Sequence, residues 1–181
     1  HTVGYGLISY WTAYLKCHYP IAYFAALLSS EVDNQEKLGL YLENARSMDV
    51  KILPPDINES DYGFTPTKAG IRFGLSAIKG VGEAVIEEIV KSKPETLTEF
   101  YETVPEKVNS RSLQALIAAG AFDSFGDRAV HFDKSQEWLE RAKGLRKSQE
   151  LGNITVLNPT YSLPSGQSGK GDDLVVEFRH G

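Results

Sequence analysis

Through the first thirty residues, Tyr5, Ile8, Thr12, Leu15 and Tyr19 recur at helical spacing, with Leu7, Trp11 and Tyr14 beside them. That spacing predicts a largely buried helical region over residues 4–28. Pro20 is expected to break or kink it, and Ile21 to Leu28 to resume as a second short helix. Asp33 and Asn34 are cap residues for a third helix, whose apolar stripe is Leu38, Tyr41, Leu42, Ala45 and Met48.

The period changes near residue 50. Val50 to Leu53 is a short β-like run stopped by Pro54 and Pro55, and the first proline favours an extended Leu53. Tyr62-Gly63-Phe64-Thr65 and Ile71-Arg72-Phe73-Gly74-Leu75 read as two short strands, with Lys68-Ala69-Gly70 turning between them. From Leu75 to about residue 150 helical patterning returns. Glu83 to Lys91, Thr96 to Val104 and Arg111 to Ala119 are the predicted helices, with Asn109 capping the last and Gly120 ending it. Asp127 to Glu150 forms a longer charged helix with Phe132, Trp138, Leu139, Ala142 and Leu145 as its apolar face. Residues 151–181 are rich in Gly, Ser and Pro and read as a linker or tail of unknown fold. Leu174 to Phe178 is the one strand-like run there. The fold class is mainly α with a small β element.

Composition narrows the chemistry. A length of 181 residues with 41% hydrophobic content suits one or two small soluble domains. The sequence starts at His1 without an initiator methionine and is expected to be a piece of a longer protein. No apolar stretch approaches bilayer length, so no membrane partner is expected. One cysteine, Cys17, leaves no intramolecular disulfide framework and no cysteine-based zinc site. Cys17-His18 has no metal-ligand partners at usable spacing and reads as packed helix surface. Asp56, Glu59 and Asp61 follow two prolines and read as solvated turn carboxylates. The net charge of −5 matters most, because autonomous DNA binders are usually rich in Lys and Arg. Arg141, Lys143, Arg146 and Lys147 form the most basic stretch, interrupted by Glu140 and Glu150, and read as a solvated helix face.

The most informative segment is Ile78-Lys79-Gly80-Val81-Gly82-Glu83-Ala84-Val85-Ile86. Two glycines flanking one residue allow a tight hairpin that backbone or ligand can approach closely. The second glycine opens a helix, so amide N–H groups and the positive end of the helix dipole can face an anion. Val81 is expected to plug the hairpin into the core, and Lys79 to add a cation. The Gly-Lys-Ser/Thr ending of a P-loop is absent, as are the third glycine and βαβ setting of a dinucleotide fold. Ala118-Ala119-Gly120-Ala121-Phe122-Asp123 follows a second helix and reads as a degenerate repeat of the unit, with Phe122 and Phe125 as core plugs.

Four blocks carry a family resemblance: "HTVGYGLISYWTAYLKCHYPIAYFAALLSS", "KILPPDINES", "IRFGLSAIKGVGEAVIEEIV" and "KVNSRSLQALIAAGAFDSFGDRA". In order and spacing, over residues 1 to about 130, they closely resemble the bacterial DNA polymerase III alpha subunits, the C-family replicative polymerases. The resemblance implies that residues 1–70 end a helical fingers domain and that residues 71–130 form a tandem helix-hairpin-helix on duplex primer-template DNA. A charged helix (131–150) and the tail (151–181) follow.

By motif position, Lys79, Gly80, Val81 and Gly82 would be DNA-contact residues, joined by Asn109 and Arg111. His1 and Tyr5 would face the nucleotide side of the fingers. The family's catalytic aspartates and their Mg2+ ions belong to a palm domain upstream, so no catalytic residue and no cofactor is expected in this chain. The remaining polymerase domains and other replicase subunits are the implied partners, in the bacterial cytoplasm. A glutamine-plus-aromatic clamp-binding motif would fall near Gln149-Glu150-Leu151-Gly152. Asn153-Ile154-Thr155-Val156 follows instead, which argues against a sliding-clamp contact.

Two other readings stay open. The acidic balance suits a protein-interaction scaffold whose hairpins pack only on neighbouring subunits. A repair-type enzyme could use the same hairpin but needs a catalytic Lys or Asp beside it, and the fingers-like blocks oppose that.

Overall fold

The computed structural model describes residues 2–103 and 106–151, together with the backbone of residues 161–163 and 174–176. The chain divides into two compact units, one made of the residues up to Pro55 with Glu59–Ala77, the other of Asp56–Asn58 with the chain from Ile78 onward.

The first unit begins with α1 (Thr2–His18) and α2 (Pro20–Ser30). Pro20 is incompatible with a continuing helix, yet its fixed φ suits a first helical position, so α1 stops at His18 and α2 starts on the proline. Then α3 (Gln35–Ser47) opens on Asn34, whose side chain accepts a hydrogen bond from the Lys37 N–H at 3.1 Å. The core of this unit is Phe24, Ala25, Leu28, Leu38, Ala45, Val50, Phe64 and Ile71.

The expected burial of the first helix is not found: no residue of α1 is buried. Its apolar side chains project all round the helix, and α2 can cover only one side; Trp11 stays 52% exposed. Lys16 reaches the Phe24 ring, 5.6 Å from its centroid. Cys17 and His18 lie on the exposed helix surface, with the His18 ring centroid 4.3 Å from that of Tyr14.

A three-stranded sheet completes the unit, in the order β1 (Ile52–Leu53), β3 (Gly70–Arg72), β2 (Thr65–Thr67). β1 runs parallel to β3, and β2 antiparallel to it with Pro66 opposite Ile71. The second strand starts at Thr65, later than the aromatic pattern suggests, because Phe64 turns inward and its N–H donates to Ser29 Oγ at 2.9 Å. Leu75 leaves the sheet for a 3-10 turn, Leu75–Ala77.

The second unit is helical: α4 (Glu83–Ser92), α5 (Leu97–Glu102), α6 (Ser110–Ala118) and α7 (Arg128–Glu150). Thr96 caps α5 by accepting the Glu99 N–H at 3.1 Å. The predicted extension of that helix to Val104 falls partly outside the described residues. Phe100 and Phe122 meet edge to face, centroids 4.8 Å apart, and Tyr101 meets Trp138 in the same way at 5.7 Å. The buried face of α7 is His131, Ser135, Trp138, Leu139 and Ala142. Phe132, expected on that face, is exposed because it lies one position off the stripe. In the tail, β4 (Tyr161–Leu163) pairs antiparallel with β5 (Leu174–Val176), while Glu177 and Phe178 lie outside the described residues.

Candidate nucleic-acid interface

The first hairpin is built from Ile78 to Gly82. Ile78, not Val81, is its core anchor: Ile78 is buried and Val81 half-buried. The Val81 N–H donates back to the Ile78 carbonyl at 3.4 Å and closes the turn. Gly80 carries φ +95°, a conformation that side-chain-bearing residues adopt at a cost. A Cβ there would make ordinary contact with Ala115 on α6, at 3.5 Å, so backbone conformation rather than crowding requires the glycine.

Gly82 is different. Its φ of −77° and ψ of 153° suit any residue, and a Cβ would have no neighbour within 4 Å. Neither φ nor crowding demands glycine there, although glycine is among the residues favoured at a helix N-cap, the position Gly82 holds; its missing side chain leaves open space in front of α4. The Gly82 carbonyl accepts the Val85 and Ile86 N–H groups at 3.0 and 3.1 Å. The Glu83 and Ala84 N–H groups precede the helical ladder and stay available to an external acceptor. Lys79 is exposed beside them, and so is Glu83, which partly occupies the positive end of the helix.

Asn109 and Arg111 lie at the start of α6. The Asn109 side chain accepts the Ser112 N–H at 2.9 Å, and Ser112 Oγ accepts the Asn109 N–H at 3.1 Å, a reciprocal capping box. The Asn109 side-chain oxygen is thus committed to the fold. Arg111 is exposed, and the first turn of α6 holds no acidic residue. Tyr5 sits on α1, 71% exposed; His1 lies outside the described residues.

The second hairpin shares the glycine and little else. α6 ends with Gly120 at φ +92°, the Gly120 N–H bonding to Ile117 and the Ala121 N–H to Leu116, both at 3.0 Å. This paired pattern is the usual left-handed close of a helix. Phe122 is buried and Phe125 half-buried, in keeping with a packing role. The Arg128 guanidinium lies over Gly120, paired with the Asp123 carboxylate and donating to the Ala118 carbonyl at 3.3 Å. Asp127 fills the front of α7 by accepting the Ala129 and Val130 N–H groups at 2.8 and 3.2 Å. The amides and the cation of the second hairpin are satisfied internally, whereas the Glu83 and Ala84 N–H groups and the Lys79 ammonium of the first have no partner among the described residues.

Most of the remaining candidates have structural partners. Lys143 donates to the Glu106 and Val108 carbonyls, Arg146 to the Glu102 carbonyl and Arg141 to Glu137. Asp56 accepts the Asn58 N–H at 2.8 Å and Glu59 pairs with Arg72 at 3.3 Å, so these turn carboxylates are engaged rather than simply solvated. Among the described residues no group of three or more His, Cys, Asp or Glu side chains is placed to hold a metal ion, and no helix is long and apolar enough to cross a membrane.

Sequence patterning misses one residue of consequence. His131 is 3% exposed, its ring centroid 6.1 Å from Phe122 and 6.2 Å from Trp138. Neither ring nitrogen has a well-formed hydrogen bond among the described residues. Burial lowers its pKa, against weaker opposing effects from the Phe125 backbone and the Asp123 and Asp127 carboxylates. The signal lay in position: His131, Ser135, Trp138 and Ala142 follow helical spacing, but two of the four are polar.

Comparison with known proteins fits this geometry. A family profile described as a helix-hairpin-helix motif matches residues 49–131. A DNA polymerase III subunit alpha of Saccharopolyspora erythraea is 43% identical over 85% of this chain and 14% of its own length. One of Thermus aquaticus is 45% identical over 97% of this chain and 15% of its own. The Thermus match therefore runs well into the tail left unassigned by sequence patterning. One of Neisseria meningitidis serogroup A is 48% identical over 68% of this chain and 12% of its own. The chain thus spans about one-seventh of the length of the first two relatives.

Proposed function

The chain belongs to the family of bacterial DNA polymerase III alpha subunits, and we propose that it serves such a polymerase as a duplex-positioning segment rather than as its catalytic centre. In this reading, the end of the fingers leads into a helix-hairpin-helix that holds primer-template DNA by its backbone. Lys79, Gly80, Val81 and Gly82 make the contact: the glycines admit a phosphate to the Glu83 and Ala84 amides, and Lys79 supplies charge. Such contacts fix the register of the duplex without reading its sequence. Metal-dependent nucleotidyl transfer, with its Mg2+ ions, is assigned to carboxylates elsewhere in a longer polypeptide.

The observation that carries this reading is Gly82, a glycine that neither conformation nor crowding requires, at the open front of a helix. The test is binding of a fluorescent primed duplex by the full-length subunit, titrated over salt, with Gly82→Val alongside. Weakened, sequence-independent binding by a normally folded variant supports the reading. Equal affinity for both proteins rejects it.

A scaffold role has its own observation. The second hairpin is closed by Phe122, Asp123 and Arg128, as a purely structural element would be. The same titration separates the two, because a scaffold is insensitive to Gly82.

A further inference from the structure

We propose that Asp56–Asn58 is a strap and that the second hairpin is the socket in which it docks, so that this degenerate hairpin binds a segment of its own chain. Asp56–Asn58 belongs to the second unit, although the residues on either side of it belong to the first. The Ile57 side chain is fully buried, and its N–H donates to the Ala121 carbonyl at 2.8 Å, one residue past the Gly120 turn. The Asn58 side chain donates to the Lys93 carbonyl at 3.1 Å, at the left-handed residue that closes α4. One short segment thus clips the second hairpin and the end of α4. This role is independent of any ligand at the first hairpin.

The strap is stiff, and its feet are fixed separately from its tip. Pro54 and Pro55 restrict the backbone just ahead of it, and the Asp56 carboxylate accepts the Asn58 N–H at 2.8 Å in a local turn. Within the first unit, the Arg72 guanidinium donates to the Pro54 carbonyl at 3.0 Å and to the Glu59 carboxylate at 3.3 Å, one group on either side of the strap. The Phe73 N–H donates to the Leu53 carbonyl at 3.0 Å, and the buried Ser60 hydroxyl to the Phe73 carbonyl at 2.8 Å. None of these anchors uses the Ile57 or Asn58 side chain, so release of the tip leaves them in place. The socket is matched to its occupant. Ala121 is fully buried, with its N–H spent on the Leu116 carbonyl and its own carbonyl given to the strap. Docking also accounts for the sealing of this hairpin by Asp123 and Arg128, since a socket for a segment of the same chain needs a fixed shape and no open amides.

The experiment is hydrogen exchange read by mass spectrometry on the full-length subunit, comparing wild type with Ile57→Ala, Ile57→Val and Asn58→Ala. Peptides over residues 118–124 and 88–95 report on the socket and the end of α4, and one over residues 65–73 on the sheet. Ile57→Ala should speed exchange in the socket and at the end of α4 by about tenfold or more, because the cavity it leaves weakens the docked state. The sheet should stay near wild type. Ile57→Val should give the same pattern at lower amplitude, and Asn58→Ala should act chiefly on the end of α4. Wild-type exchange over residues 118–124 in Ile57→Ala would overturn the proposal, by showing that the hairpin holds its shape without the strap. Equal acceleration of sheet and helices in both Ile57 variants would overturn it as well, by making Ile57 an ordinary core residue. Should Ile57→Ala fail to fold, Ile57→Val decides between the same patterns.

Discussion

The Lys143 ammonium on α7 donates a hydrogen bond to the Val108 carbonyl, just ahead of the α6 cap. It also reaches the Glu106 carbonyl at 3.3 Å, and Arg146 reaches that of Glu102, the last residue of α5, at 3.3 Å. The Glu102 carbonyl, freed where α5 ends, thus finds a cationic donor on α7 whose charge also complements the α5 dipole, while Lys143 holds two carbonyls of the connection that follows. Two cations of a stretch that reads as a solvated basic face are consumed in holding a connection.

Lys143→Met keeps the apolar stem and removes the donor. Stability to urea should fall by about 1 kcal/mol, less than a buried charge-assisted bond contributes because the group is partly solvated. The salt slope of duplex binding should not change. A slope reduced by one unit at unaltered stability would instead assign Lys143 to a phosphate.

The two hairpin glycines should separate conformation from access. Gly80→Ala places a side chain at φ +95° and should cost roughly 1–2 kcal/mol of stability. Gly82→Val meets open space at an ordinary φ and gives up only a favoured N-cap residue, so stability should fall by no more than about 1 kcal/mol while duplex affinity drops. A large loss of stability in Gly82→Val would show that the glycine serves the fold.

His131 predicts an acid-side weakness. Its folded pKa lies below the ordinary histidine value near 6.5, chiefly through burial. Below about pH 6.5 the unfolded chain therefore binds a proton that the folded chain resists, and stability falls as pH drops toward the folded pKa. Above that range the contribution is constant. His131→Phe should flatten the pH dependence of the melting temperature below about pH 6.5. An unchanged profile would mean another group governs it.

Much of this fold was legible because its signals are local. Pro20, Asn34, Thr96, Asn109, Gly120 and Asp127 all mark helix boundaries through chemistry contained within a few residues. The hairpin at Gly80 was legible for the same reason. What sequence could not give was the partner of each side chain. The apolar period of α1 reads as a buried helix, but period reports a preference for cover and not its supply. Likewise, the two hairpins look alike as strings of glycine and helix formers. Only three-dimensional contacts distinguish an open one from one sealed by Asp123, Asp127 and Arg128. His131 escaped because a polar residue on an apolar stripe is invisible to hydrophobic patterning.

Asn109 offers a way to change the charge beside Arg111 while sparing the cap. Asn109→Asp retains an oxygen able to accept the Ser112 N–H, and a carboxylate at a helix N-terminus is favourable. Stability at neutral pH should therefore hold or rise by a few tenths of a kcal/mol. Asn109→Ala removes the acceptor and should cost about 1 kcal/mol. For DNA the order reverses. Asn109→Asp puts a negative charge two residues from Arg111 and should weaken duplex binding more than Asn109→Ala does, most clearly at low salt, where screening is least. Parallel urea titrations and duplex titrations at two salt concentrations decide it. If affinity simply follows stability across the two variants, α6 supports the hairpin mechanically and its N-terminal charge is irrelevant to DNA. If the two rankings cross, the start of α6 faces the phosphates.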